Sequence, residues 1–217
     1  MGYEIIKKED LFPKRIIYRK LATLLYFKRI LNLVSGIEGD IVECGVHRGT
    51  TLCLWASLVK EEMKGRKIWA FDSFQGFPEP SSFDRGIGFG QARKGFYSDT
   101  SVERVRQLLL DIGLDQEFVD SQVTIVKGFF SESLKKYKGT SIAILFIDAD
   151  LYSSYKDVLE MLYPKVAKGG VVLMDEYMGT FVYHLYPGAN KAVDEFFGEK
   201  AKQIQRDKIS GMYYLIK

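Results

Sequence analysis

Apolar side chains recur along this chain with two different spacings, and these spacings predict alternating helices and strands. Between residues 15 and 35, Ile17, Leu21, Leu24 and Leu31 fall on one stripe of a helix. Five shorter runs are continuously apolar and rich in β-branched residues, at 41–44, 67–71, 122–126, 141–147 and 170–174. Continuous apolar runs are typical of strands that are covered on both faces.

Helical segments separate these strands. The sequence predicts helices over 50–63, 100–113 and 153–166, and the second begins with the spacing of a capping box, from Thr100 to Glu103. Strands that alternate with helices form right-handed parallel β-α-β units. The predicted fold class is therefore α/β, with a doubly wound, mostly parallel sheet in three α-β-α layers. We expect a hairpin at 208–216 to close one edge of the sheet.

Two parts of the chain lie outside this sheet. Residues 1–38 are predicted to be an N-terminal helical extension, and residues 39–217 the main domain. The loop at 75–98 is too long for a plain connection. We expect the loop and the N-terminal helix to form a movable cover, with Phe83, Phe89, Phe96 and Tyr97 closing over a ligand. The alternative for the helix is packing on a sheet face or on a second subunit.

Composition narrows the class of protein. The 217 residues are 47% hydrophobic and 27% charged, which is typical of a globular domain. The net charge of +3 is too small, and too evenly spread, for a nucleic-acid-binding surface. Cys44 and Cys53 fit no zinc motif, no secretory signal precedes them, and no apolar run reaches the roughly 20 residues of a membrane helix. We expect a soluble, cytoplasmic protein that binds neither nucleic acid nor membrane.

The ends of the predicted strands carry residues suited to ligand binding, since ligands of open parallel sheets bind there. Glu43, Gly45 and Gly49 form an E-x-G-x-x-x-G turn, which lets a ligand approach the backbone before a helix N-terminus. This spacing matches neither a dinucleotide fingerprint nor a phosphate loop. Asp72 stands where nucleoside-binding domains place a ribose acceptor, although a turn cap is the alternative. Gly128 ends the third strand and allows close approach.

Four carboxylates follow the next two strands. Asp148 and Asp150 end one strand, and Asp175 and Glu176 end the other. Like charges at this density raise pKa values or require a cation. A ligand set made only of oxygen atoms suits Mg²⁺. Solvated strand-end acids, or a helix cap formed by Asp150, are the alternatives.

Five segments in this order resemble the macrocin O-methyltransferase family, also called the TylF type: 39–49, 71–78, 148–154, 162–165 and 169–170. The resemblance spans about residues 39–197. The family acts on sugar hydroxyls in macrolide and aminocoumarin antibiotic pathways. It implies the Rossmann-like fold of S-adenosylmethionine-dependent methyltransferases, with seven strands of which the last is antiparallel, and the use of Mg²⁺.

The resemblance also implies a role for individual residues. It puts Glu43, Gly45 and Arg48 at the methionine end of the cofactor. It puts Asp72 and Ser73 at the ribose, and Gly128, Phe129 and Ser131 near the adenine. It puts Asp148, Asp175 and Glu176 at the metal-ligand positions and Asp150 at the general base, so that Asp148 and Asp150 are the catalytic pair. The family usually has two aspartates where this chain has Asp175 and Glu176, which places the strength of the metal site in question.

The expected function is that of an S-adenosylmethionine- and Mg²⁺-dependent O-methyltransferase. Its partner would be a hydroxylated sugar or another small-molecule natural product, and homo-oligomers are left open. One alternative is a glycosyltransferase that holds a nucleotide-sugar through Asp148-Ala149-Asp150. Another is a non-catalytic cofactor-binding protein, if Glu176 disables the metal site. The turn after the first strand, followed by Asp72, favours the methyltransferase.

Overall fold

The computed structural model describes residues 8–85, 92–178 and 187–217, with side chains from residue 21 onward. The strands of this part of the chain are β1 (Asp40–Cys44), β2 (Ile68–Asp72), β3 (Val123–Lys127), β4 (Ile142–Ile147), β5 (Val166–Met174), β6 (Gln205–Arg206) and β7 (Tyr213–Ile216). They form one sheet in the order β3-β2-β1-β4-β5-β7-β6. Strands β1 to β5 pair in parallel, and β7 runs antiparallel to β5 and β6. The predicted α/β fold is confirmed.

Helices cover both faces of the sheet. They are α1 (Lys8–Leu33), α2 (Thr50–Glu62), α3 (Val102–Asp111), α4 (Gln116–Gln122), α5 (Phe130–Ser133), α6 (Tyr152–Leu162) and α7 (Pro187–Phe197). The sequence did not predict α4, α5 or α7. Helix α6 ends earlier than expected, because a 3-10 turn (Tyr163–Lys165) containing Pro164 follows it. Within the described chain, no helix is both long and apolar enough to cross a membrane.

Two local predictions need correction. The N-cap of α3 is Ser101, whose side chain accepts a hydrogen bond from the Arg104 N–H at 3.3 Å, so the capping box expected from Thr100 to Glu103 does not form. Strand β5 begins at Val166 and not at residue 170. The pairing register with β4 shifts within β5, and Gly169 takes a φ of +82° there. The glycine therefore lies in a strand irregularity and not in a turn before the strand.

The core has two layers separated by the sheet. On one side, Phe27 of α1 stacks on Trp55 of α2, with ring centroids 4.0 Å apart and planes inclined by 8°. Both side chains are fully buried and contact Phe146 of β4. On the other side, α6 and α7 pack on the sheet, and the half-buried Trp69 of β2 lies on this face. The arrangement is the three-layer sandwich that the sequence predicts.

The described half of α1 belongs to the first core layer. Tyr26 and Phe27 are fully buried. The guanidinium of Arg66 holds the connection from α1 to β1, because it donates to the carbonyls of Val34 at 2.8 Å, Ile37 at 2.8 Å and Gly39 at 2.9 Å. These contacts favour packing on the sheet over a movable cover for this helix.

The edge of the sheet is closed by the hairpin of β6 and β7. Arg206 pairs with Tyr213, and the connecting turn is held by Asp207, which accepts a hydrogen bond from the Ser210 N–H at 2.7 Å. The predicted hairpin at 208–216 therefore exists, with its first strand a few residues earlier. Its position beside β5 makes β7 the antiparallel strand of the sheet.

Replacing Phe27 by alanine tests the contribution of the stacked pair. We expect Phe27→Ala to lower the free energy of unfolding by about 3–5 kcal/mol, since it leaves a cavity against Trp55. Leu25→Ala is the matched control on the same helix, because the Leu25 side chain is 55% exposed. Its effect should stay within about 0.5 kcal/mol. Urea denaturation measures both, and equal losses would contradict the assignment of Phe27 to the core.

Candidate active site

A cavity of about 570 Å³ opens where the strand order reverses between β1 and β4. This is where open α/β sheets bind ligands. Most of the residues singled out from the sequence line it, namely Gly45, Asp72, Ser73, Phe129, Ser131, Asp148, Asp150, Asp175 and Glu176. We call this cavity the pocket. The strand-end residues that the sequence predicts to act together are therefore brought together by the fold.

Three of the predicted cofactor residues do not line the pocket. Glu43 is fully buried behind it. Gly128 has a φ of +143°, and its N–H donates to the Asp72 carbonyl at 2.9 Å, so it shapes the backbone beside the pocket. Arg48 lies in a neighbouring groove, where its Nε donates to Asp99 at 3.1 Å. A role of Arg48 at the methionine end stays a prediction.

Close contact between the ends of β1 and β4 shapes the floor of the pocket. Gly45 has a φ of +98°, and a Cβ at this position would lie 1.6 Å from the carbonyl oxygen of Asp148. The Gly45 N–H donates to Phe71 at 2.9 Å, and the Asp148 N–H donates to the Cys44 carbonyl at 2.9 Å. Only glycine fits this position, both for its backbone angle and for the space available.

Glu43 is a buried carboxylate with one oxygen satisfied. Its Oε1 accepts a hydrogen bond from the Thr51 hydroxyl in the first turn of α2. Its Oε2 has no hydrogen-bond partner among the described residues. Burial raises the pKa of this carboxyl well above its usual value. A buried acceptor without a partner is rare in proteins and suits a ligand that brings a donor group.

Asp72 organises the backbone at one side of the pocket. Its Oδ2 accepts from the N–H groups of Val46 and His47, each at 2.8 Å, and its Oδ1 accepts from Phe74 at 2.7 Å. His47 and Phe74 have positive φ values of 45° and 50°. The carboxylate thus holds two turns in uncommon conformations. These contacts are those of a turn cap. Because Asp72 also lines the pocket, its carboxylate oxygens can accept further hydrogen bonds from a ligand.

Asp148, Asp150 and Glu176 form the acid group of the pocket. Each offers a carboxylate oxygen, and these three oxygens lie within 4.8 Å of one another. The resemblance implies Asp175, in place of Asp150, as the third metal ligand. Asp150 has a left-handed backbone, with a φ of +58°. Asp175 continues the pairing of β5 with β4, through a 3.0 Å bond from its N–H to Ile147, and lies in the same pocket outside this group.

Charge and burial act together on the acid group. Burial, followed by the charge of Asp150, raises the pKa of Asp148 to about 7. Burial, followed by the charge of Asp175, raises the pKa of Asp150 to about 7. Burial also raises the pKa of Glu176, whose Oε2 accepts a hydrogen bond from the Tyr155 hydroxyl. Such a group is stabilised by protons or by a cation, and its oxygen atoms suit Mg²⁺.

Aromatic side chains form a rim around the pocket, of which the sequence predicts Tyr97 but not its ring partners. Tyr97 lies at the centre of this rim, with its ring centroid 4.9 Å from that of His47 and 5.3 Å from that of Phe77. Phe77 and His47 are not predicted as ligand contacts, because both follow strand ends within turns. Tyr97 belongs to the loop predicted as a cover. Phe89 of that loop lies outside the described residues.

A second missed feature is the face of α6 that borders the pocket. Ser153, Ser154 and Asp157 line it. Burial raises the pKa of the Asp157 carboxyl, which lies near the Ser131 backbone. Ser153 and Ser154 lie four and three residues before Asp157. This spacing places the three polar side chains on one helix face, and it is the sequence signal for this feature.

Residues 23–212 match the macrocin-O-methyltransferase (TylF) family. The chain belongs to this family. It is therefore an S-adenosylmethionine-dependent O-methyltransferase, as the sequence predicts. The family match argues against the glycosyltransferase and the non-catalytic alternatives.

Individual relatives agree with this assignment. The chain is 33% identical over 187 residues to demethyldecarbamoylnovobiocin O-methyltransferase of Streptomyces niveus, covering 80% of this chain and 67% of the relative. It is 31% identical over 166 residues to 8-demethyl-8-(2,3-dimethoxy-alpha-L-rhamnosyl)-tetracenomycin-C 4'-O-methyltransferase of Streptomyces olivaceus, covering 71% and 62%. Among solved structures, the calicheamicin methyltransferase CalS11 matches with a TM-score of 0.79 and 26% identity, over 98% of this chain and 86% of that one.

The titration of the acid group predicts how stability of the metal-free methyltransferase depends on pH. Because the pKa values of Asp148 and Asp150 are about 7 in the folded state and about 4 when unfolded, the folded state binds more protons between these values. Its stability therefore falls as pH rises through this interval. We expect the melting temperature in EDTA to fall from pH 5 to pH 8, and excess Mg²⁺ to reverse the fall.

Two variants serve as controls for this pH dependence. Asp150→Asn removes one titrating carboxyl and should flatten the slope. Asp111→Asn, at an exposed site on α3, should leave the slope unchanged. A melting temperature that rises with pH over the same interval in EDTA would contradict the proposed protonation of the acid group.

Proposed function

We propose that this methyltransferase transfers a methyl group to a hydroxyl of a sugar-like small molecule with the help of one Mg²⁺ ion. The carrying observation is the acid group of Asp148, Asp150 and Glu176, which lies in the pocket beside the tight turn at Gly45. The tetracenomycin relative, whose name includes a rhamnosyl group, supports a sugar hydroxyl as the acceptor. Cytoplasmic location, the absence of nucleic-acid binding and homo-oligomer formation stay predictions.

Different residues in and beside the pocket would bind the three parts of the cofactor. S-adenosylmethionine, when bound, supplies an electrophilic methyl group on a sulfonium. The free oxygen of Glu43 would accept from the amino group of the methionine end, and Gly45 leaves space for the chain of the ligand. Asp72 and Ser73 would bind the ribose hydroxyls. The adenine would lie beside Phe129, Ser131 and the neighbouring Gly128.

The ion would be held by Asp148, Asp150 and Glu176, with Asp175 next to them. Mg²⁺, when bound, lowers the pKa of a coordinated acceptor hydroxyl. Glu176 departs from the family's usual aspartate, and its longer side chain reaches the group while the Tyr155 hydroxyl restrains it. This support favours a working metal site over a disabled one.

The proton of the acceptor hydroxyl would pass to a carboxylate of the catalytic pair, Asp148 and Asp150. The resemblance assigns this role to Asp150. In the metal-free protein, burial raises the pKa of both carboxyls above the usual value of an aspartate, so each of them can hold a proton in this cavity. The rings of Phe77 and Tyr97 would exclude water while the acceptor oxygen is aligned with the methyl group.

Binding of S-adenosylhomocysteine tests the cofactor site. At about 100-fold above its Kd the ligand should stabilise the fold by about 2.7 kcal/mol, which gives a resolvable melting shift. Glu43→Gln keeps the size of the side chain but cannot form a carboxylate when the ligand binds, and should weaken binding about tenfold by calorimetry. Glu38→Gln, at an exposed position before β1, is the control. Unchanged affinity in Glu43→Gln would remove Glu43 from the site.

Substitutions in the acid group separate metal binding from proton transfer. Glu176→Gln should weaken Mg²⁺ in calorimetric titration more than Asp175→Asn, because Asp175 lies outside the three-oxygen group. Asp148→Asn and Asp150→Asn show which of the two residues is the general base. The substitution of the base should keep S-adenosylhomocysteine binding and lower kcat by about 10²–10⁴. It should also lose the corresponding limb of the pH–rate profile. Methyl transfer that is insensitive to EDTA would overturn the metal proposal.

A further inference from the structure

A buried carboxylate outside the pocket contacts the segment that carries Asp150. Asp84 lies in a short 3-10 turn (Ser82–Asp84) and is only 1% exposed. Its Oδ1 accepts a hydrogen bond from the Tyr152 N–H at 2.7 Å. Tyr152 is the first residue of α6 and follows Asp150 by two positions. Asp84 does not line the pocket, so it contacts the site only through this backbone.

The bond to Tyr152 supplies a cap that α6 lacks in its own sequence. The residue before this helix is Leu151, whose side chain makes no capping hydrogen bond. The first N–H groups of a helix have no partner within the helix and carry partial positive charge, so a carboxylate beside them is favourable. The cap therefore comes from Asp84, which lies 68 positions earlier in the chain.

The turn before α6 has a strained backbone. Asp150 has a φ of +58°, and the Leu151 N–H donates to the Ala149 carbonyl at 2.6 Å. A hydrogen bond that spans a single residue with positive φ closes a γ-turn of the rare, strained form. Strained backbone persists where its surroundings fix it. The bond from Tyr152 to Asp84 fixes the chain directly after the turn, and thereby favours the conformation that keeps an Asp150 oxygen in the acid group.

Asp84 is itself held in place from two sides. Its Oδ2 accepts hydrogen bonds from the Ser81 N–H at 2.7 Å and from the Ser81 hydroxyl at 2.6 Å. Gly188, in the first turn of α7, packs so closely that a Cβ there would lie 2.0 Å from Asp84 Oδ1. The ring centroids of Phe83 and Tyr152 are 4.8 Å apart. The carboxylate therefore has a fixed position between its own loop and the first turns of α6 and α7.

We propose that Asp84 is a positioning residue of the methyl transfer and acts through Asp150. It caps α6 and holds the strained turn, and this directs the Asp150 carboxylate toward the other oxygens of the acid group. The inference rests on the proposed function, in which Asp150 helps to hold Mg²⁺ and to accept the proton. It assigns part of the geometry of the site to a side chain outside the pocket.

Calorimetric titration of Mg²⁺ into the protein loaded with S-adenosylhomocysteine tests the inference. Asp84→Ala should weaken Mg²⁺ about tenfold, as is usual when a partner of a metal ligand is lost, and should keep the Kd of S-adenosylhomocysteine within about twofold. Ser101→Ala is the control, because it removes the side-chain cap of α3 outside the pocket. An unchanged Kd for Mg²⁺ in folded Asp84→Ala, or equal losses in the two variants, would overturn the inference.

The Tyr152 N–H offers a second way to break the same bond if Asp84→Ala does not fold. Tyr152→Pro removes this N–H, and proline suits the first position of a helix after an extended residue such as Leu151. Tyr152→Ala removes the same side chain and keeps the N–H. The proline variant should bind Mg²⁺ about tenfold more weakly than the alanine variant. Equal affinities would overturn the inference.

A double variant tests whether Asp84 acts through Asp150. Asp150→Gly removes the carboxylate, and glycine tolerates the left-handed backbone. Adding Asp84→Ala to this variant should change the Kd of Mg²⁺ by less than about twofold, because the group to be positioned is already absent. A full further loss, equal to that in the native background, would show that Asp84 acts independently of Asp150 and would overturn the inference.

These measurements separate the inference from the proposed function. If the native protein binds Mg²⁺ and Asp84→Ala binds it equally well, only the inference fails. If the native protein binds S-adenosylhomocysteine but no Mg²⁺, the metal part of the proposed function fails. A crystal structure of Asp84→Ala then decides the inference: an Asp150 that leaves the left-handed turn supports it, and an unchanged turn overturns it.

Discussion

The contact between Gly45 and the carbonyl of Asp148 is the constraint on which the rest of the site depends. Strands β1 and β4 are neighbours in the sheet, and their ends approach so closely that no side chain fits between them. This contact brings the turn after β1 against the strand end that carries the catalytic pair. Cofactor binding and proton transfer can share one cavity because these two pieces of backbone touch.

The same approach brings unfavourable charge into the sheet edge. Asp148, Asp150 and Glu176 are held close together, and Glu176 is fully buried, so the ligand-free site keeps protons that isolated carboxyls would lose near neutral pH. The fold can sustain this because its stability comes from elsewhere, above all from the two core layers that include Phe27, Trp55 and the helices on the opposite face. Catalytic machinery and structural support are thus carried by different residues.

Much of this arrangement could be predicted from the chain. Continuous apolar runs mark the strands, and the polar residues directly after them, such as Asp72 and Asp148, mark the edge where ligands bind. What could not be predicted depends on backbone angles and on contacts between distant segments. Asp150, whose backbone is left-handed, contributes an oxygen to the acid group, while Asp175 lies in the same pocket beside it.

Other differences have similar physical causes. The irregularity at Gly169 lets β5 begin before the glycines, although glycines usually mark a turn. The groove beside the pocket combines Arg48 with residues about 45 positions further along the chain, and no local pattern reveals such a pairing. The short helices α4 and α5 contain too few turns for a clear period. Sequence patterns report local periodicity, whereas the site depends on where separate loops meet.

The position of the two tryptophans gives the molecule a natural pair of optical reporters. Trp55 is fully buried in one core layer, and Trp69 is half-buried on the opposite face of the sheet, where it lies edge-on to Tyr137. These are the two tryptophans of the chain, and neither lines the pocket or the groove beside it. Their fluorescence therefore follows the two layers, and single Trp→Phe variants would show whether the layers unfold together or in sequence.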